Sequence, residues 1–181
     1  MYYVSTRNKE DRRTAAEAIA QGLAVDGGLM TPEVFPKLSH NALDTMRDMS
    51  YQQRAVYVNS YLDDFTASEL SAYADKAYGG EKFDVKEVAP VRAVDENTYC
   101  LELWHGPTCA FKDMALQMLP HLLSASLVKN QEEKTVCILV ATSGDTGKAA
   151  LEGFKDVDKT RILVFYPKDG VSAIQELQMN T

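Results

Sequence analysis

The hydrophobic residues in the first half of the chain recur with the spacing of amphipathic helices. From Tyr51 to Leu62, and again from Leu70 to Ala77, apolar positions return every three or four residues, which places them on one face of a helix. Capping boxes, in which a hydroxyl and a Glu or Gln side chain satisfy free N–H groups at a helix start, predict where three helices begin. They are formed by Thr14 with Glu17, Ser50 with Gln53, and Thr66 with Glu69.

The second half of the chain follows a different pattern. Residues 136–141 and 162–166 are short, almost unbroken apolar runs, which are typical of buried parallel strands. A helical stretch at 147–154 separates them, so this part of the chain predicts a strand–helix–strand unit. Upstream, residues 112–128 predict a helix that Pro120 kinks or restarts, because proline lacks the N–H group that a helix interior uses.

These elements predict an α/β protein with two domains. We place the boundary near Pro90. Residues 1–92 then form a small, mostly helical N-terminal domain, and residues 93–181 begin a parallel α/β domain. With 181 residues, of which 45% are hydrophobic, the chain can bury a core of its own.

Charge, cysteine content and hydropathy exclude several classes of protein. The formal net charge of −7 offers no cationic surface for nucleic acid. The three cysteines are odd in number and lack zinc-site spacing, so neither a disulfide framework nor a zinc site is expected, and a reducing, cytoplasmic location fits better. No apolar run approaches the length of a membrane span and no signal-peptide pattern opens the chain, so we expect no membrane partner.

A glycine-bounded loop of hydroxyl and carboxyl residues follows the first apolar strand. Residues 141–148 read ATSGDTGK. The loop opens a helix, whose first backbone N–H groups attract anions. We expect a carboxylate or phosphate there, although the same residues could be ordinary N-cap residues. A Walker A motif is excluded, since it requires Gly at position 142 and Ser or Thr at 149, where the chain has Thr142 and Ala149.

A lysine at the start of the preceding helix is a candidate nucleophile. Residues 105–113 read HGPTCAFKD. The Gly-Pro pair at 106–107 forces a turn, and the apolar residues before Lys112 can cover its side chain. A partly desolvated amine of this kind can attack a carbonyl group. The alternative is a solvated ion pair between Lys112 and Asp113.

The remaining histidines and cysteines near this loop leave alternatives open. His105 is either a catalytic acid–base group or a hydrogen-bonded turn residue. Cys109 is either reactive or a small buried hydrophobe. His40 and His121 have no partners at ligand spacing, so we expect no metal site.

The two loops together resemble the threonine synthase family of pyridoxal-phosphate enzymes, which have the tryptophan-synthase-β-like fold. The resemblance is carried by residues 103–113 (LWHGPTCAFKD) and 141–147 (ATSGDTG), two long motifs in the family's order. Residues 22–29 (GLAVDGGL) and 174–181 (IQELQMNT) are also similar to the family. The match spans the whole chain, while the chain spans only part of the family. The resemblance implies a fold type II, parallel-sheet domain after the α-rich N-terminal domain.

The resemblance also implies roles for individual residues. Lys112 would bind pyridoxal phosphate through a Schiff base and would act as the catalytic residue that moves protons at the substrate. In relatives with Asn at position 145, that side chain can donate to the cofactor's phenolic oxygen, which an ionised Asp145 cannot do. The part of Asp145 in cofactor binding therefore stays open. The loop implied to bind the substrate carboxylate consists of Ser143, Gly144, Asp145, Thr146 and Gly147.

The implied reaction is that of a carbon–oxygen lyase acting on phosphates in threonine biosynthesis, which converts O-phosphohomoserine and water into threonine and phosphate. The family's groups for the cofactor phosphate and the pyridine nitrogen lie in sequence that these 181 residues do not contain. We therefore expect a fragment that cannot act alone and that either meets the missing C-terminal part or self-associates through an unpaired sheet edge.

Two other functions remain open. The first is a different enzyme of the same fold, such as a phosphohomoserine lyase or a dehydratase. The second is a non-catalytic domain that binds a partner through its N-terminal helices.

Overall fold

The computed structural model describes residues 1–142 and 144–180, and it divides into two compact units. The first unit consists of residues 1–74 and 122–133. In its small sheet the central strand β1 (Tyr3–Ser5) pairs antiparallel with both β2 (Arg12–Arg13) and β3 (Met30–Pro32). The elements that begin in this unit are β1 (Tyr3–Ser5), β2 (Arg12–Arg13), α1 (Ala15–Gln21), β3 (Met30–Pro32), α2 (His40–Arg47), α3 (Tyr51–Asn59) and α4 (Ala67–Tyr78).

The three predicted capping boxes are all present, so the predicted helix starts are confirmed. At the start of α4, Glu69 Oε2 accepts from Thr66 N at 2.7 Å, and Thr66 Oγ1 accepts from Glu69 N at 3.2 Å. Glu69 Oε1 also accepts from the ammonium of Lys129 at 2.7 Å. This bond, together with those to Thr66, lowers the pKa of Glu69 to about 2. The cap therefore also ties α4 to the segment that carries Lys129.

The second unit consists of residues 75–121 and the chain from 134 onward. The predicted helix at 112–128 is split in two, and the second helix begins at Leu119, so Pro120 lies in its first turn, where proline is tolerated. A short antiparallel hairpin precedes these helices. The further elements are β4 (Val91–Ala93), β5 (Tyr99–Leu101), α5 (Asp113–Leu116), α6 (Leu119–Lys129), β6 (Val136–Ala141), α7 (Asp145–Phe154), β7 (Thr160–Phe165) and α8 (Ala173–Asn180).

The predicted strand–helix–strand unit is confirmed as β6, α7 and β7. The strands are parallel and in register from Val136 opposite Thr160 to Ala141 opposite Phe165. α7 can lie close to them because a Cβ added at Gly147 would be 2.5 Å from Thr142 Cγ2 and 2.9 Å from Val164 Cγ1. A larger residue at this position would push the helix away from the sheet.

One face of the β6–β7 sheet is apolar and exposed. Along both strands buried or half-buried residues alternate with exposed ones. Leu139 is 67% exposed, Leu163 53% and Phe165 62%. Within the described residues, β6 and β7 form a sheet of two strands only. Parallel sheets normally have both faces covered, so this exposed apolar face is unusual, and the expected unpaired sheet edge is present among the described residues.

This exposed face predicts self-association of the chain. We expect the chain to sediment as a concentration-dependent oligomer and to bind a hydrophobic dye, because it exposes contiguous apolar surface. Leu139→Glu combined with Leu163→Glu should shift it toward monomer and reduce dye fluorescence, while the circular dichroism spectrum is unchanged. Lys168→Glu, at an exposed position outside this face, is the control. A wild-type chain that is monomeric and binds no dye would contradict the prediction.

The observed fold is the predicted mixed α/β architecture, with helices and a parallel strand pair. The predicted domains, residues 1–92 and 93–181, stay a prediction. Across the described residues, no helix is both long enough and apolar enough for a membrane crossing.

Candidate active site

The loop before α5 is folded around the buried carboxylate of Asp113. This side chain is fully buried. Its Oδ2 accepts from Thr108 N at 2.9 Å and its Oδ1 accepts from Thr108 Oγ1 at 2.7 Å. A Cβ at Gly106 would be 2.6 Å from Asp113 Oδ2, so only glycine leaves room for the carboxylate. The alternative of a solvated pair between Lys112 and Asp113 is therefore wrong.

Lys112 lies at the N-cap position of α5 with a half-buried side chain. Its Nζ is 4.8 Å from the centre of the Phe111 ring, which is itself exposed. None of the ion pairs among the described residues involves Lys112. An amine that no carboxylate holds can react with an aldehyde, so this residue fits the attachment of an aldehyde cofactor.

Cys109 occupies a strained position in the same loop. Its backbone has φ of +56°, and its N–H donates to Gly106 O at 3.0 Å, closing the predicted turn. A side chain in this left-handed region costs about 1 kcal/mol, which the surrounding contacts must offset. Cys109 is exposed, so the alternative of a small buried hydrophobe does not apply.

His105 lies between two carboxylates. Its Nδ1 is 2.5 Å from Asp84 Oδ1 and its Nε2 is 2.8 Å from Glu102 Oε2. The hydrogen bond to Glu102 makes the largest contribution to raising the pKa of His105, and the hydrogen bond to Asp84 raises it further. Desolvation opposes this shift. Because both ring nitrogens are engaged, the arrangement favours the hydrogen-bonded turn residue over a free acid–base group.

The glycine-bounded loop forms the start of α7. Ser143, predicted to bind substrate, lies outside the described residues. Gly144 is the N-cap residue, and its N–H donates to Thr142 Oγ1 at 3.3 Å. Asp145 and Thr146 occupy the first turn, where backbone N–H groups have no intrahelical acceptor. These donors and the positive end of the helix dipole can bind an anion.

Asp145 is held by two side chains. Its Oδ1 accepts from Gln175 Nε2 at 3.0 Å and lies 3.2 Å from Lys148 Nζ. The bond from Gln175, followed by that from Lys148, lowers the pKa of Asp145. The carboxylate is therefore ionised at neutral pH and has no proton to donate, whereas Lys148 offsets its charge near the anion site.

The two motifs are brought into one compact unit. α5 and α7 are in contact, and a Cβ at Gly153 of α7 would collide with Leu116 O at the end of α5. Lys112 and the loop at 144–147 therefore begin two helices that pack on each other. Over the described part of the chain, no group of three His, Cys, Asp or Glu residues could hold a metal ion.

Three residues of this region were missed by sequence reasoning. Asp84 and Glu102 hold His105, and Gln175 of α8 holds Asp145. Ser172 and Gln175 form a capping box, which could have predicted the start of α8 but not the contact of Gln175 with Asp145. Asp84 could not have been found, since nothing in its neighbouring sequence marks it.

The chain is similar in sequence to threonine synthases and related proteins. A family model described as "Threonine synthase N terminus" matches residues 2–78. The chain is 37% identical to threonine synthase of Methylobacillus glycogenes, over 99% of the chain and 39% of that protein. It is 39% identical to human threonine synthase-like 1, over 98% of the chain and 26% of that protein.

A solved structure gives the same result for the fold. The pyridoxal-phosphate-bound threonine synthase of Brucella melitensis superposes with a TM-score of 0.91 at 36% identity. The superposition covers 99% of this chain and 38% of that one. The chain thus spans about two fifths of the length of the threonine synthases it matches. Over nearly its whole length, the chain is thus similar in sequence and in fold to threonine synthases.

Proposed function

We propose that this chain supplies the lysine and the carboxylate-binding loop of a pyridoxal-phosphate enzyme that converts O-phosphohomoserine and water into threonine and phosphate. The observation that carries the proposal is the Lys112 amine, which makes no ion pair with a carboxylate of residues 1–142 and 144–180 and lies on a loop ordered by Asp113. The proposal is supported by a relative of the same fold that binds this cofactor. Pyridoxal phosphate supplies an electron sink for negative charge that develops on carbon.

Lys112 is proposed to hold the cofactor and to move protons. As a neutral amine, its Nζ can take a proton from the substrate's α-carbon and return it later in the cycle. The half-buried side chain is partly shielded from water, and the cap position fixes its backbone. Both features favour a defined position for Nζ, which proton transfer between nearby atoms requires.

The start of α7 is proposed to bind the substrate carboxylate. Gly144 lets the backbone approach a ligand closely, and the N–H groups of Asp145 and Thr146 are available as donors. Ser143 and Gly147 complete the proposed loop. Asp145 is not proposed as a donor to the cofactor, because its carboxylate is ionised and bound to Gln175.

The remainder of the active site is proposed to come from outside these 181 residues. The resemblance assigns the cup for the cofactor phosphate and the partner of the pyridine nitrogen to later sequence. We therefore expect the isolated chain to bind the cofactor weakly and to require a C-terminal part, on the same or another polypeptide, for turnover. A cytoplasmic location also remains a prediction.

A second enzyme of the same fold is the main alternative. The human relative named threonine synthase-like 1 is as similar in identity as the bacterial threonine synthase, so identity alone does not separate the two. Analysis of the reaction products distinguishes a threonine synthase from another enzyme of this fold. The natural protein that contains these residues should be supplied with pyridoxal phosphate and O-phosphohomoserine. Threonine and phosphate in equal amounts would support the proposal, whereas a keto acid with phosphate would indicate a lyase.

A further inference from the structure

The arrangement around His105 indicates a protonated ring with two charge-assisted hydrogen bonds. The distances of 2.5 Å to Asp84 and 2.8 Å to Glu102 are short. Ionised carboxylates only accept hydrogen bonds, so each ring nitrogen must carry a proton, and only imidazolium has both. The side chains of His105 and Glu102 are 11% and 19% exposed, so little water competes for the bond between them, whereas Asp84 is 73% exposed.

The two carboxylates belong to separate segments of the second unit. Asp84 follows α4 in the chain, and its backbone N–H donates to His105 O at 3.1 Å, so these residues are joined twice. Glu102 directly follows β5, and its N–H donates to Pro90 O at 3.0 Å. Through one ring, the start of the loop at 105–112 is thus connected both to the chain around Asp84 and to the β4–β5 hairpin.

A second set of hydrogen bonds, at Asp113, holds the other end of the loop that carries Lys112. At the far end of the loop, the Asp113 carboxylate holds Thr108 through two hydrogen bonds. The loop also contains the strained Cys109. A strained backbone keeps its conformation only when contacts on both sides hold it. Loss of the contacts at His105 would therefore release one side of the loop.

We propose that His105 is a positioning residue for Lys112. His105 acts by pinning the start of the 105–112 loop to Asp84 and Glu102 through its two hydrogen bonds. His105 itself is not proposed to touch substrate or cofactor. The inference rests on the proposed function only for the significance of Lys112, since the pinning is a property of the chain alone.

The pinning should depend on pH. The charged groups facing the ring are Asp84 and Glu102, and Arg92 Nε lies 3.8 Å from Glu102 Oε2. The pKa of His105 is raised above 6.5, chiefly by Glu102. Stability from a raised pKa is fully present below the unfolded value of about 6.5 and is lost as pH rises through the folded value. Neutral imidazole then donates through one nitrogen only and leaves a carboxylate without its donor.

Nitrogen NMR of the imidazole rings and hydrogen exchange of the 106–116 amides test the proposal on the 181-residue chain without cofactor. We expect His105 to have two protonated nitrogens at pH 7 and to titrate above the ordinary histidine range. His105→Gln should speed amide exchange in the loop about tenfold after correction for intrinsic rates, with the β6–β7 amides unchanged. Glu102→Gln should lower the pH at which the loop loses protection, an effect that a purely structural role would not produce.

His40→Gln is the matched control, because His40 is exposed on α2, in the other compact unit. It should leave loop exchange and the His105 titration unchanged. The proposal is overturned if wild-type His105 titrates at or below the ordinary value, which needs no variant to fold. It is also overturned if His105→Gln leaves loop exchange unaltered. None of these readings uses the cofactor, so a failure of the proposed function would appear separately, in the product assay.

Discussion

Lys112→Ala is expected to reduce threonine formation by the natural protein about a thousandfold or more, because the amine that would hold the cofactor and transfer protons is removed. The absorbance band of protein-bound pyridoxal phosphate should disappear as well. Folding should be preserved, since Lys112 makes no ion pair among the described residues and its recorded contact is with the exposed Phe111 ring. Steady-state assays and cofactor titration by absorbance measure both effects.

Lys168→Ala is the control for this experiment, because Lys168 is exposed and follows β7 in the same compact unit. Its activity and absorbance should equal those of the unmodified protein. Lys112→Arg should fail like the alanine variant, since guanidinium keeps a positive charge but is not a nucleophile. An absorbance band that persists in Lys112→Ala would contradict the assignment of Lys112 and would send the search to another lysine.

Asp113→Ala is expected to destabilise the chain by about 3 kcal/mol, because Thr108 would lose two acceptors in a buried site. Asp113→Asn should cost only about 1 kcal/mol, since its amide oxygen can accept from Thr108 N while the amide nitrogen donates to the rotated hydroxyl. Urea unfolding followed by circular dichroism gives both values. Cofactor binding by the natural protein should fall in the same order, as the loop that carries Lys112 loses its inner support.

Asp48→Ala serves as the control, because Asp48 is exposed at the end of α2. It should change the unfolding free energy by no more than about 0.5 kcal/mol. Equal losses for Asp113→Ala and Asp113→Asn would mean that the carboxylate charge, and not the two hydrogen bonds, matters at this position.

Local signals allowed much of the fold to be predicted. The capping boxes at Thr14, Ser50 and Thr66 gave correct helix starts because each is closed by residues three apart. The β6–α7–β7 unit followed from two apolar runs around a glycine-marked loop. β2 was missed because two residues are too few to show a strand pattern.

The two motifs of the candidate site could be recognised in the sequence, whereas the more distant residues that hold them could not. The motif around Lys112 and the loop at the start of α7 are continuous in sequence, so each could be recognised. The partners that hold them are distant: Asp84 lies 21 residues before His105, and Gln175 lies 30 residues after Asp145. A single sequence carries no information on such pairs until the fold brings them together. The burial of Asp113 was not predicted, and a solvated pair with Lys112 stayed open as an alternative, because the burial depends on how the loop folds back to Thr108.

The matched ends of β6 and β7 have a consequence for how substrate preference could evolve. Both strands end at the same level, with Ala141 opposite Phe165. α8 follows β7 in the chain, and its residue Gln175 lies against both Gly144 and Asp145 at the start of α7. A substitution at Gln175 would therefore alter the proposed carboxylate loop, and with it the proposed substrate preference, from a separate helix, while residues 141–147 stayed the same.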